Sequence, residues 1–139
     1  MIVIDTNVLL DIWIYSDTAT VTLRQKLLDR QLQWLTTAAM REELLRVLDY
    51  EHIARRREKD GISSIDVMQA FDRHSSCVPD APRSSYVCKD ADDQKFIDLA
   101  VANKAILLSK DRQVLKLKKR LVLVGVQVAA KWEEIHLNC

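Results

Sequence analysis

Short apolar runs that stop abruptly at polar residues constrain this chain more than any other feature. Ile2-Val3-Ile4 ends at Asp5 and Ala105–Leu108 at Ser109, while Leu32–Leu35, interrupted by Gln33, is a plausible second strand that ends at Thr36-Thr37. A run that is apolar at every position, rather than at alternate ones, reads as a strand buried on both faces, as in a parallel sheet covered by helices. Helical periodicity fills the intervals. Met40, Leu44, Val47 and Leu48 share a face behind an N-cap at Thr36-Thr37, and Ile62–Phe71 is again helix-like. Phe96, Leu99 and Ala100 follow the acidic run Asp90–Asp93, whose charges suit a helix N-terminus. Strands alternating with helices of about a dozen residues predict an α/β fold in three layers, α/β/α, around a central parallel sheet of four to five strands.

The same reading assigns a polar, basic segment to Arg55–Gly61 and a loop to Val78–Pro82 that leads into a short strand near Tyr86-Val87. It then gives a turn at Ser109–Asp111, a basic helical turn at Arg112–Lys119 and a last strand at Leu121–Val126. With 139 residues and no repeat or linker, one domain over 1–139 is expected.

Composition removes several functions. Gly61 and Gly125 are the only glycines, so neither a P-loop nor a dinucleotide fingerprint can be built. Cys77, Cys88 and Cys139 lack C-x-x-C spacing and give no disulfide framework or zinc site; they are expected to be buried or terminal thiols. The apolar runs fall far short of the ~20 residues of a spanning helix. Met1–Asn7 lacks the basic region of a signal peptide, so no membrane association and a cytoplasmic location are expected. A net charge of +1 leaves the choice of partner to local patches.

Ligands of open parallel sheets bind beyond the carboxyl ends of the strands. The residues there are acidic: Asp5 after the first strand, Glu43 on the helix after the second, Asp93 opening the helix after the third, and Asp111 after the fourth. Four converging carboxylates repel one another unless a cation compensates. An all-oxygen set selects Mg²⁺ or Mn²⁺ over zinc, and such ions suit phosphodiester hydrolysis by polarising the phosphoryl oxygen and activating water. Asn7 and Ser109 are auxiliary candidates, as oxygen donor and hydrogen-bonding partner.

Val3-Ile4-Asp5-Thr6-Asn7-Val8-Leu9 resembles the opening signature of PIN-domain ribonucleases. Glu43-Leu44-Leu45-Arg46-Val47-Leu48 is similar to that family's E-L-x-x-V-L helix, Asp90–Phe96 to D-P-D-D-x-K-F, and Leu108-Ser109-Lys110-Asp111 to V-T-G-D. The likeness runs in order along nearly the whole chain and is greatest to the VapC-like branch, the toxins of toxin–antitoxin pairs. It implies a PIN-like fold, a Mg²⁺- or Mn²⁺-dependent endoribonuclease, an antitoxin partner and often a homodimer. The family's metal-binding acids fall on Asp5, Glu43, Asp93 and Asp111, with Asp5, Asp93 and Asp111 as the direct ligands and Asn7 and Ser109 in support. Ala91 stands where proline is common. Lys110 replaces a glycine beside Asp111, which puts a cation near the site and removes backbone freedom from the turn.

Each candidate also has a plainer reading. Asp5 is a good helix N-cap, Asp90 and Asp92 suit a helix dipole, and Glu43 has an equivalent neighbour in Glu42. Asp11 and Asp98 read as surface or supporting residues. Arg55, Arg56, Arg57, Lys110, Lys116, Lys118 and Lys119 are candidates for RNA phosphates, with a solvated helix face as the alternative. Trp13, Trp34 and Trp132 suit a core better than base stacking, and His52, His74 and His136 are scattered and given no catalytic role. The rival functions are a catalytically silent PIN domain that binds RNA or protein, and a HAD-like phosphatase. The phosphatase needs D-x-D where this chain has Asp5-Thr6-Asn7. A phospho-receiver domain would carry an acidic pair at the first strand end.

Overall fold

The computed structural model describes residues 1–136, which leaves Cys139 outside the described residues. The strands are β1 (Ile2–Ile4), β2 (Trp34–Thr36), β3 (Ser75–Cys77), β4 (Ile106–Leu108) and β5 (Val128–Ala129). They form one all-parallel sheet in the order β3-β2-β1-β4-β5. The helices are α1 (Thr6–Trp13), α2 (Val21–Leu28), α3 (Ala38–Val47), α4 (Glu51–Asp60), α5 (Ser64–His74), α6 (Gln94–Asn103), α7 (Arg112–Leu115) and α8 (Lys118–Leu121). The α/β class and parallel sheet expected from the apolar runs are both present. No helix among the described residues is long and apolar enough to cross a membrane.

Strand alternation explains why the runs are apolar throughout. Ile2, Ile4, Trp34 and Leu108 face one buried cluster with α1, α2 and α5, while Val3, Leu35, Leu107 and Val128 face another with α6, α7 and α8. β1, β2, β4 and β5 therefore bury both pleat faces. Trp34 stacks on Trp13 at 5.6 Å and takes Phe71 edge-on at 5.2 Å, and Trp132 packs against the same cluster, so all three tryptophans belong to the core.

Thr37 caps α3 by accepting the Met40 N–H, at the predicted place. The basic segment Arg55–Gly61 is the second half of α4, which stops at Gly61 because φ there is +68°, a left-handed conformation that glycine adopts without strain.

Two expected strands are absent. Tyr86-Val87 lies in the irregular loop after β3, and the third strand is Ser75–Cys77, an edge strand that pairs among the described residues with β2. Its serines carry no apolar pattern because its outer side faces no neighbour, and Cys77 is exposed rather than buried or terminal. Leu121–Val126 is also not a strand: it comprises the end of α8, a 3-10 turn over Val122–Val124 and Gly125 at φ +85°. A short apolar run does not separate strand from buried helix end. Only Leu121 and Val126 of this run are buried, and β5 begins after them.

Candidate metal centre

β1 and β4 are neighbours, and the helices that follow them pack in different clusters, α1 in one and α7 in the other, so a crevice opens at the strands' carboxyl ends. The Asp5 N–H bonds to the Leu108 carbonyl at 2.9 Å, and the Ser109 N–H to the Ala129 carbonyl at 3.0 Å. These bonds fix the residues just beyond three strands against each other. Ser109, fully buried, donates its hydroxyl to Asp5 Oδ2 at 2.7 Å and accepts the Asp111 N–H at 3.1 Å.

Three acids serve as helix caps as well. Asp5 Oδ1 accepts the Asn7 N–H at the start of α1, Asp111 Oδ1 the Gln113 N–H at the start of α7, and Asp90 Oδ1 the Asp92 N–H at the 3-10 turn that leads into α6. The capping reading of Asp5 and the functional one are therefore compatible. Backbone N–H groups and the positive helix ends offset part of the repulsion among the carboxylates. The Asn7 side chain is exposed, and its contribution to Asp5 comes from its backbone.

One carboxylate oxygen from each of Asp90, Asp93 and Asp111 lies within 4.8 Å of the other two. Oxygens on a single hard cation, each at roughly 2.0–2.6 Å, stand at most about 4–5 Å apart, so the spacing and the chemistry of this donor set fit a divalent ion. Burial holds the Asp93 carboxyl protonated up to about 8, helped by the charge of Asp5, by a hydrogen bond to and the charge of Asp111, and by Asp90. Asp5 is also raised, first by burial and then by Glu43 and Asp111, against the lowering effect of its bonds to Ser109 and Asn7. In the absence of a cation, the proton on Asp93 plays the neutralising part.

Of the four acids selected from the sequence, Asp93 and Asp111 fall in this triad and Asp5 stands beside it, with its oxygens engaged by Ser109 and Asn7. Asp90, an auxiliary candidate, completes the triad in place of Asp5. Glu43 projects from α3, half-buried. It accepts the Thr6 hydroxyl at 2.6 Å and pairs with Lys95 at 3.3 Å, while Glu42 is exposed. The exposed Asp92 contributes its carbonyl to Lys95. Thr6 and Lys95 escaped the sequence reading although both lie inside its motifs, at Asp5-Thr6-Asn7 and Asp92-Asp93-Gln94-Lys95.

Other expectations shift. The Lys110 ammonium turns to Asp11, at 2.7 Å, rather than to the cluster. Lys110 also lacks the positive φ that would call for glycine, so its presence does not disturb the turn that holds Asp111. Of the two readings of Asp98, surface or supporting, the structure favours the second: it is buried and accepts the Ser84 N–H and the Gln94 side chain. Gln94 also bonds the Cys88 N–H and the Tyr86 carbonyl, which ties the loop carrying Asp90 to α6. The Cys88 thiol is pushed up by burial, and further by Asp93, Asp111 and Asp90, so it stays protonated beside the acids.

Arg55 pairs with Glu51, Arg56 with Asp60 at 2.7 Å, and Arg57 with Asp49 and the Leu48 carbonyl, an arrangement that favours the charged helix face weighed for this run. Lys116, the C-cap of α7, and Lys118 and Lys119, on α8, are exposed and form no ion pair among the described residues. His52 and His136 are exposed, and His74 ends α5, apart from the acid cluster.

No curated protein matches the chain. The sequence profile of the PIN domain matches residues 1–113, a span that includes Asp5, Glu43, Asp90, Asp93 and Asp111. PIN domains are generally nucleases that use divalent metals, so nuclease-type chemistry is the function the match suggests. With its parallel sheet, its acid-lined crevice and a profile match over most of its length, the chain belongs to the PIN domain family.

Proposed function

We propose that the protein is an endoribonuclease that hydrolyses RNA phosphodiester bonds with Mg²⁺ or Mn²⁺ and serves in the cytoplasm as the toxin of a toxin–antitoxin pair. The observation that carries the nuclease reading is the gathering of Asp90, Asp93 and Asp111 within 4.8 Å, next to Asp5, at the carboxyl ends of β1 and β4. A divalent ion held there would polarise the phosphoryl oxygen and lower the pKa of the attacking water. The chain's own groups supply orientation and charge balance. Asp90, Asp93 and Asp111 are the holding residues, with Asp5 locked against Ser109 beside them. Thr6 and Lys95 fix Glu43 and offset its charge. Lys116, Lys118 and Lys119 draw the phosphate backbone of the RNA toward an otherwise repulsive centre.

The toxin role, an antitoxin partner and a homodimer rest on the motif likeness of Val3–Leu9, Glu43–Leu48 and Asp90–Phe96 to VapC-like proteins. Purified protein should cleave RNA with Mg²⁺ or Mn²⁺ and stop on chelation, and Asp5→Asn or Asp93→Asn should lower the rate by at least about a hundredfold. Cleavage that survives EDTA, or that both variants retain, defeats the reading. Metal-independent RNA binding without cleavage would instead support the silent module.

A further inference from the structure

Tyr86 lies in the loop that leads to Asp90, and Arg120 ends the basic run Lys118-Lys119-Arg120 of α8. The Tyr86 ring is half-buried against the core cluster that α6, α7 and α8 share, and the Arg120 guanidinium lies over it, 5.5 Å from the ring centroid, within the roughly 6 Å of a cation–π contact. The loop is tied to the acid cluster. The Gln94 side chain bonds the Tyr86 carbonyl at 3.0 Å, Gln94 directly follows Asp93, and the chain from Tyr86 to Asp90 spans at most about 14 Å. A second pair of the same kind serves as a comparison. Arg56 lies over the Tyr15 ring at 5.2 Å, but its guanidinium is also bound to Asp60 at 2.7 Å, whereas no acid pairs with Arg120 among the described residues. Arg120 is exposed, so the side of its guanidinium turned away from Tyr86 meets solvent with its charge uncompensated.

We propose that Tyr86 and Arg120 form a stacking platform for one base of single-stranded RNA, whichever base it is, on the strand that runs to the carboxylates; the inference rests on the nuclease reading. The chemistry of the pair carries it. Bases splayed from a single strand stack on guanidinium planes as well as on aromatic rings. A guanidinium that a ring already holds loses little freedom when a base arrives, and an unpaired one has no carboxylate to give up. Lys118 and Lys119 directly precede it, both exposed, so a strand stacked there has its phosphates near cations rather than acids. Val87 and Val122, one and two residues along the chain from the pair, are 54% and 55% exposed, and apolar groups suit the face of a base while offering a phosphate nothing. Such apolar residues alone would serve a protein partner equally well; consecutive cations beside a held, unpaired guanidinium match a polyanion that carries flat rings. Stacking is indifferent to base identity, so the platform positions the strand without choosing a sequence.

Two chains of equal length and charge separate stacking from attraction: a short fluorescein-labelled oligoadenylate and an abasic ribose-phosphate oligomer, each titrated with metal-free protein and followed by anisotropy. Wild type should bind the oligoadenylate at least about fivefold more tightly. Arg120→Lys keeps the charge and loses the plane, so it should remove most of that preference and leave affinity for the abasic chain unchanged. Tyr86→Leu, which takes away the ring beneath the guanidinium, should act likewise, and Arg56→Lys should change neither affinity. Equal binding of the two chains by the wild type, or binding of neither, overturns the proposal and returns the exposed apolar residues to a protein partner. A preference kept by Arg120→Lys or by folded Tyr86→Leu, or lost alike in Arg56→Lys, also overturns it, as does loss of the same factor from both chains in Arg120→Lys. Base-dependent binding by a protein that cuts no RNA would defeat the nuclease reading alone, whereas RNA cleavage with full base preference in Arg120→Lys would defeat only the platform.

Discussion

Between the ordinary carboxyl value of 3.8 and about 8, Asp93 keeps a proton in the folded chain that the unfolded chain has already released. The folded state therefore binds more protons over that window, and stability falls as pH rises through it, with the loss complete above about 8. Metal-free protein should lose about 1–3 kcal/mol between pH 4 and pH 8, read as a falling midpoint in urea titrations. Asp93→Asn removes the charge while keeping the shape, so it should flatten this slope and raise stability near pH 8. A slope that persists unchanged in the variant would place the titration elsewhere. A divalent cation does the opposite job, since it must displace the Asp93 proton, and its apparent affinity should rise with pH up to about 8. At a hundredfold excess over its dissociation constant, Mn²⁺ should stabilise the wild type by about 2.7 kcal/mol. Chelation should reverse the gain and Asp93→Asn should lack it. Equal melting shifts in wild type and variant would argue against the carboxylates as the holding residues.

Asp90 reaches the cluster because an element holds a loop. Gln94, in the first turn of α6, bonds the Cys88 N–H at 2.7 Å, the Tyr86 carbonyl at 3.0 Å and Asp98 at 2.7 Å, while Asp98 takes the Ser84 N–H. Gln94→Ala strands several of these buried groups, so a cost of about 2–3 kcal/mol is expected in chemical denaturation. Faster proteolysis in the segment 79–90 and weaker Mn²⁺ binding should accompany it, and wild-type protection of the loop would refute the coupling. This dependence on distant bonds explains what the sequence could tell. β1 and β4 were legible because sandwiching between helix layers makes them apolar at every position, β2 because Trp34-Leu35 precedes Thr36, and Asp5, Asp93 and Asp111 because they sit at strand or helix ends. Ser75–Cys77 was not, since an edge strand whose residues are half-buried or exposed needs no apolar signature. Leu121–Val126 misled because a run of Val and Leu around a helix end reads like a buried strand until Gly125 is seen at φ +85°. Asp90 and Lys95 lay in recognised motifs, yet their partners come from across the fold or through the Gln94 bonds, which spacing alone does not encode.

Across the whole molecule, a net charge of +1 conceals a separation: acids converge at the carboxyl ends of β1 and β4, and lysines without an ion pair among the described residues cap α7 and line α8. The two groups are joined by the chain itself, since Asp111 caps α7 and the basic residues follow within the next two helical segments. Most basic residues on α4 are already neutralised, with Arg55, Arg56 and Arg57 each paired to an acid. If RNA is the substrate, its phosphates should therefore be met by Lys116, Lys118 and Lys119 rather than by the arginines. Each phosphate contact to a single strand contributes about −0.7 to the slope of log affinity against log salt. Replacing the three lysines together with alanine should flatten that slope by about 2 and weaken binding to every sequence alike, because phosphate contacts carry no base information. Replacing Arg55 and Arg56, whose partners lie on their own helix, should change the slope by much less. Equal effects from the two sets would mean that RNA is drawn by the general field of the protein, while a larger effect from the arginines would move the RNA path from α7 and α8 to α4.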